Sequence, residues 1–211
     1  MITLQPILEI FPSDGFALWP VSEVRTYGFL VLSGELTPAE VGTAVKHIAA
    51  GNDIDPEHDG RPSRPADPVD SFLHGLLTVD ALYIPGGLRV TDTTTGVVFV
   101  PGCCSGLEDW HGWYRVLEGS VPVWFGHDPD PRAERCGDTV RLTTDGEQSD
   151  SPVIEVSATE LRQLLDGAER DLLGFLGLVQ EWAERQLSDQ AGPVTAALAR
   201  ALNLPATIRT P

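Results

Sequence analysis

The chain has 211 residues, 42% hydrophobic and 21% charged, which fits one globular domain with a core of its own. Its formal net charge of -17 sets it against phosphate backbones and anionic lipid, so it excludes nucleic-acid binding through a basic groove. No run approaches the roughly 18 apolar residues of a membrane span. The opening stretch, MITLQPILEIFPSDG, lacks a basic region and a small-residue cleavage site, so the expected location is cytoplasmic.

Residues 2–11, ITLQPILEIF, alternate in part and predict a strand, with Pro6 marking an edge or a bulge. YGFLVLSG at 27–34 predicts a second. Thr37 then serves as an N-cap, Pro38 suits the first helical position and Glu40 completes a capping box. Val41, Val45 and Ile48 follow at helical spacing until Gly51. Residues 51–70 read as a long acidic, proline-rich loop. Within it Asp55, Glu57, Asp59 and Gly60 match the first half of a calcium-binding EF-hand loop. The match fails at its twelfth position, Ala66, and Pro62 and Pro65 block the exit helix, so a solvated acidic loop is the expectation.

A short helix or a buried turn is predicted at 71–82, and a β-hairpin at 87–100 with Thr93–Gly96 at or near its turn. Leu107, Trp110, Tyr114 and Leu117 share one face of a predicted helix over 107–117. Pro122, Pro129 and Pro131 then punctuate a loop around the apolar island Val123–Phe125. Strands are predicted at 138–144 and 153–156. Ser157 and Glu160 form a second capping box, and an apolar stripe from Leu161 to Ala183 predicts one long amphipathic helix over 158–187. VTAALARAL adds a last short helix before a frayed tail at 204–211. The expected fold is a single α+β domain over 1–211, mostly antiparallel sheet, with the long helix packed on one face. That helix also leaves a homodimer open.

Three cysteines, Cys103, Cys104 and Cys136, are an odd number with two adjacent, which points to reduced thiols rather than a disulfide framework. The adjacent pair lies in Gly102-Cys103-Cys104-Ser105-Gly106, between a predicted strand and a predicted helix. This fits the G-x-Nuc-x-G pattern with cysteine as nucleophile. Over these five residues the turn resembles that of the dienelactone hydrolase branch of the α/β-hydrolases. The resemblance implies Cys104 as nucleophile. It departs from that family in having no histidine after His127 and a proline, Pro101, just before the turn. Among the remaining bases, His127 with Asp128 as its orienting carboxylate is favoured over His111 with Asp109, because a loop can fold back on the turn. The competing expectation is structural: small thiols packing where strand meets helix, at least one of them buried against the Trp110 helix.

Zinc held by Cys103, Cys104, Cys136 and His127 is disfavoured, since neighbouring side chains diverge and no C-x2-C or H-x3-H spacing occurs. No metal or cofactor is therefore expected. Trp110, Trp113 and Trp124, with His127, Asp128 and Asp130 beside them, are the candidate binding surface. The wider stretch from PGCCSGLEDWHGW to WFGHDPDP resembles a segment of uncharacterised actinobacterial proteins, which implies a bacterial cytoplasmic protein and transfers no activity. The leading functional expectation is a non-enzymatic, immunity-like or inhibitor-like protein that binds a basic protein partner. The alternative is a cysteine-dependent hydrolase or transferase that uses Cys104 with His127 as base.

Overall fold

The structure, a computed structural model, describes residues 1–13, 15–120 and 122–205, the side chain of Asp59 excepted. It is an α+β chain with two antiparallel sheets and, among the described residues, six α-helices. Strand β1 is Ile2–Glu9, β2 Phe29–Val31, β3 Gly86–Asp92 and β4 Val98–Phe99, in a four-stranded sheet of order β2-β1-β3-β4. Strands β5 (Arg132–Cys136), β6 (Thr139–Thr143) and β7 (Val153–Ser157) form the second, in sequence order. The helices are α1 (Pro38–Gly51), α2 (Pro56–Asp59), α3 (Pro68–Thr78), α4 (Gly112–Glu118), α5 (Ala158–Gln186) and α6 (Ala191–Ala201). No described helix is long and apolar enough to cross a membrane.

The chain forms two compact units: residues 1–7 with 85–171, and residues 8–84 with 172–211. In the first, β3 and β4 make the expected hairpin, with Val90 opposite Phe99. Across the second sheet Val140 pairs with Val156 and Leu142 with Ile154, so one face of β6 and β7 is apolar and buried. The core beside the hairpin is aromatic: Phe99, Trp113 and Phe125 meet with ring centroids 4.9–5.6 Å apart. The first turns of α5 bring Arg162 over the Tyr114 ring.

In the second unit, α1 begins as its sequence requires. The Thr37 hydroxyl accepts from the Glu40 N–H at 3.3 Å, and the Glu40 carboxylate accepts from the Thr37 N–H at 2.8 Å. Its core holds the rings of Phe16, Trp19, Phe72 and Trp182 in edge-on and tilted contacts. Asn52, at the end of α1, is 1% exposed and ties the chain together through its amide. That amide donates to the carbonyls of Ile48 and Tyr83 and accepts from the Tyr83 N–H.

Three elements differ from the sequence reading. α3 starts at Pro68, three residues early, because Asp67 accepts from the N–H groups of Val69 and Asp70 and Pro68 takes the first helical position. Asp55 and Pro56 likewise start the one-turn helix α2 inside the stretch expected to be loop, with Asp55 accepting from Glu57 N–H at 3.0 Å. Arg132–Cys136, expected as loop, is a strand; it turns into β6 through Gly137 at φ +66, which places Cys136 opposite Thr139. The tail expected to fray lies outside the described residues from 206 onward.

Candidate functional site

The cysteine turn belongs to the first unit. β4 ends at Phe99, and Phe99 and Trp110 are buried where strand and helix meet. Rings occupy the junction that the thiols were expected to fill. Cys103 and Cys104 are both exposed, so the expectation of a thiol buried against the Trp110 helix is corrected. Nor is the turn a nucleophile elbow leading into a helix. Ser105 and Gly106 are followed by a three-residue 3-10 turn at Leu107–Asp109, and α4 starts only at Gly112.

The turn is anchored on two sides. The Gly86 N–H donates to the Ser105 carbonyl at 3.1 Å. On the other side the chain at Phe125–His127 folds back along it. Gly102 N–H donates to the Phe125 carbonyl at 2.8 Å, Cys103 N–H to the His127 carbonyl at 2.6 Å, and His127 N–H to the Cys103 carbonyl at 3.1 Å. This short antiparallel pairing requires glycine on both sides. A Cβ on Gly102 would lie 2.3 Å from the Pro129 carbonyl oxygen, and one on Gly126 would lie 2.5 Å from the Gly102 carbonyl.

Within the turn, Ser105 N–H donates back to the Gly102 carbonyl at 3.3 Å, which makes Cys104 the third residue of a four-residue turn. It has φ +65, a conformation that this position normally reserves for glycine or asparagine. A cysteine there carries roughly 1–2 kcal/mol of backbone strain. The same conformation undoes the expected divergence of neighbouring side chains. The two Sγ atoms lie 3.4 Å apart, and they and a ring nitrogen of His127 all fall within 4.8 Å of one another.

His127 Nδ1 is 3.1 Å from Asp128 Oδ2. Hydrogen bonds to the Asp128 carboxylate and then to the Cys104 thiol hold the imidazole above its ordinary pKa of 6.5, which makes it a stronger base. All of these groups are open to solvent: the His127 side chain is 54% exposed and that of Asp128 84%. The structure thus brings Cys104, His127 and Asp128, the three residues of the sequence-based alternative, into one hydrogen-bonded group. It adds Cys103, which the sequence singled out only as a disfavoured ligand. The other candidate base, His111, lies tilted against Trp110 with ring centroids 3.8 Å apart, and burial lowers its pKa. Cys136 is not part of the thiol–imidazole group.

The candidate binding residues divide. Trp110 and Trp113 are each 2% exposed and belong to the core, whereas Trp124 is 60% exposed. Trp124 and Asp130 line a groove of about 360 Å³ with Val116, Pro122, Phe125 and Arg135. Asp130 accepts from Arg132 Nε at 2.9 Å, so its charge is partly answered there. The sequence carried a signal for the folded-back strand, since Gly102 and Gly126 both stand next to the candidate pair, but nothing in their spacing says that they touch. No protein-family model matches this chain, and no curated protein or solved structure matches it either.

Proposed function

We propose that the protein is a cysteine-dependent acyl hydrolase or transferase in which Cys104 is the nucleophile, His127 the base and Asp128 the group that orients it. The observation that carries the reading is the hydrogen-bonded series from the Cys104 thiol through the His127 ring to the Asp128 carboxylate. In the reaction, His127 takes the thiol proton as sulfur attacks the carbonyl carbon. The S–C bond forms, the bond to the leaving group breaks, and His127 passes the proton to that group. Water, or an acceptor alcohol or amine, then cleaves the thioester and restores the thiol. The strain at Cys104 supports the same reading, because strained backbone at an exposed, non-glycine residue gathers at working sites.

A chromogenic acetate ester tests it in chelator-containing buffer. The parent should release one equivalent of chromophore in a burst and carry an acetyl group on Cys104. Cys104→Ser and His127→Ala should lose the burst, while Cys136→Ser keeps it. Acylation spread evenly over the three thiols, or unaltered in His127→Ala, overturns the reading.

A second reading, an acidic protein that engages a basic partner, draws support from the net charge of -17 and from the exposed Trp124 at the rim of the groove. Its partner would be recovered at low salt, released at high salt, and lost with Trp124→Ala. Recovery that is indifferent to both salt and Trp124 overturns it.

A further inference from the structure

We infer that Cys103, Cys104 and His127 together form a binding site for one thiophilic divalent cation, zinc, with three protein donors and a fourth position open to solvent. The inference does not require Cys104 to act as a nucleophile. It stands on the position of the donors and on what supports them.

The distances suit a single ion. Bonds of about 2.3 Å to sulfur in a tetrahedral shell put two sulfurs roughly 3.8 Å apart, and a sulfur and an imidazole nitrogen slightly closer. The two Sγ atoms lie 3.4 Å apart, and all three donor atoms lie within 4.8 Å of one another. Small side-chain rotations therefore bring them onto one centre. Adjacent cysteines ordinarily fail here because their side chains point apart. The left-handed backbone at Cys104, φ +65, is what turns the second thiol towards the first.

The imidazole is supported as a metal ligand commonly is. Asp128 Oδ2 lies 3.1 Å from His127 Nδ1. With the Nδ1 proton donated to that carboxylate, Nε2 carries the lone pair and the ring is held in place, the carboxylate–histidine–metal arrangement. The backbone bonds between Cys103 and His127, 2.6 and 3.1 Å, hold two donors from distant parts of the chain in register before any ion arrives. Ligand order is therefore built into the fold rather than created by the metal.

Charge and softness select the ion. Two thiolates balance a dication, and the neutral imidazole adds none, so the filled site is uncharged. Two sulfurs and a nitrogen favour zinc over magnesium or calcium, which take oxygen ligands. On binding, each thiol loses its proton to the buffer and no oxidation occurs. The exposure of all three donors leaves room for water at the fourth position, the pattern of an open rather than a closed zinc site.

Cobalt(II) and zinc(II) added to the reduced, metal-free protein test this. One equivalent of cobalt should give thiolate charge-transfer bands in the near ultraviolet and the visible bands of a tetrahedral site, and zinc should abolish both. Magnesium in large excess should not. Cys103→Ser, Cys104→Ser and His127→Ala should each weaken zinc binding by at least about a hundredfold, and Asp128→Asn by about ten- to a hundredfold. Cys136→Ser should bind as the parent does. Cobalt bound without thiolate bands, or a Cys103→Ser variant that binds zinc like the parent, overturns the site. The two readings fail separately: the acetylation burst is measured in chelator, where no metal is bound, and the cobalt spectrum is measured with no ester present, so either can fail while the other holds. All five substituted side chains are exposed, and thermal melts would confirm that each variant is folded.

Discussion

Gly126 lies directly against the backbone of Gly102, with no space for even a methyl group between them: a Cβ on Gly126 would sit 2.5 Å from both the carbonyl carbon and oxygen of Gly102. Gly126 also has φ +99, which side chains other than hydrogen rarely adopt. Gly126→Ala must push the two chain segments apart, and the overpacking should cost about 1–3 kcal/mol. The sharper expectation is functional. The pairing between Cys103 and His127 should open, so the thiols lose their base while the protein stays folded. Alkylation of Cys104 by iodoacetamide should then slow to the rate of Cys136; an unchanged rate would show that the close approach does not align the site.

The strain at Cys104 predicts a substitution that stabilises. Cys104→Gly removes the side chain that makes φ +65 unfavourable, and glycine adopts this region freely. Set against the greater freedom of glycine in the unfolded chain, the expected gain is up to about 1 kcal/mol. Denaturant unfolding checks it against Cys104→Ala, which keeps the strain. A glycine variant less stable than the alanine one would refute it.

His47 should make the protein acid-sensitive. It is 6% exposed. Burial first, and then the neighbouring Lys46 charge, lower its pKa from 6.5 to about 4. The unfolded chain takes up a proton near its ordinary value of about 6.5, while the folded chain refuses it. Stability from the neutral ring is therefore full above about pH 6.5 and declines as pH falls towards about 4, by up to about 3 kcal/mol. Unfolding of the parent and His47→Gln between those pH values isolates the contribution. Equal slopes would remove it.

Trp124 should dominate solvent-accessible fluorescence. It is 60% exposed, whereas Trp19, Trp110, Trp113 and Trp182 are all between 2% and 5% exposed. Trp124→Phe should remove the acrylamide-quenchable, red-shifted part of the emission. Stability should change by no more than about 0.5 kcal/mol, as for a surface position. Quenching that survives the substitution would mean that a second indole reaches solvent.

Asn52 is the polar residue on which the second unit depends. Its side chain satisfies both backbone groups of Tyr83 and one carbonyl of α1, the last of these fully buried. Asn52→Ala strands these partners and should cost about 2–4 kcal/mol. Gly75→Ala should be comparably harmful, because a Cβ there would lie only 1.9 Å from the Asn52 carbonyl oxygen. Melting temperatures of the two variants, compared with a surface alanine control, decide the point.

Elements whose ends are written in side chains were legible in the sequence. Thr37, Pro38 and Glu40 announce α1: the Thr37 and Glu40 side chains satisfy backbone N–H groups that the helix leaves open, and Pro38 has no N–H to leave unsatisfied. Ser157 does the same for α5, accepting from the Glu160 N–H at 3.1 Å. β5 was not legible. Arg-Ala-Glu-Arg-Cys buries no face and has no β-branched residue, so it is a strand only because β6 is there to pair with it. The candidate site was half legible. The residue types at Cys104, His127 and Asp128 suggested a chemistry, but the exposure of both thiols follows from which groups fill the junction. Phe99, Phe125, Trp110 and Trp113 outcompete cysteine for that space by sheer apolar area, a contest that cannot be read from local spacing.

The first unit takes its opening strand from residues 1–7 and everything else from 85–171, while the second closes only with residues beyond 171. Translation delivers these pieces in the wrong order for domain-by-domain folding. β1 meets β2 early, but it must wait through the rest of 8–84 before β3 exists on its other side, and α3 must wait longer still for α6. Neither unit can therefore be finished while the chain is still short, and no single truncation point releases either one intact. Each unit is therefore completed across a long intervening segment, and its apolar faces stay open to wrong association for longer than those of a unit built from one continuous stretch.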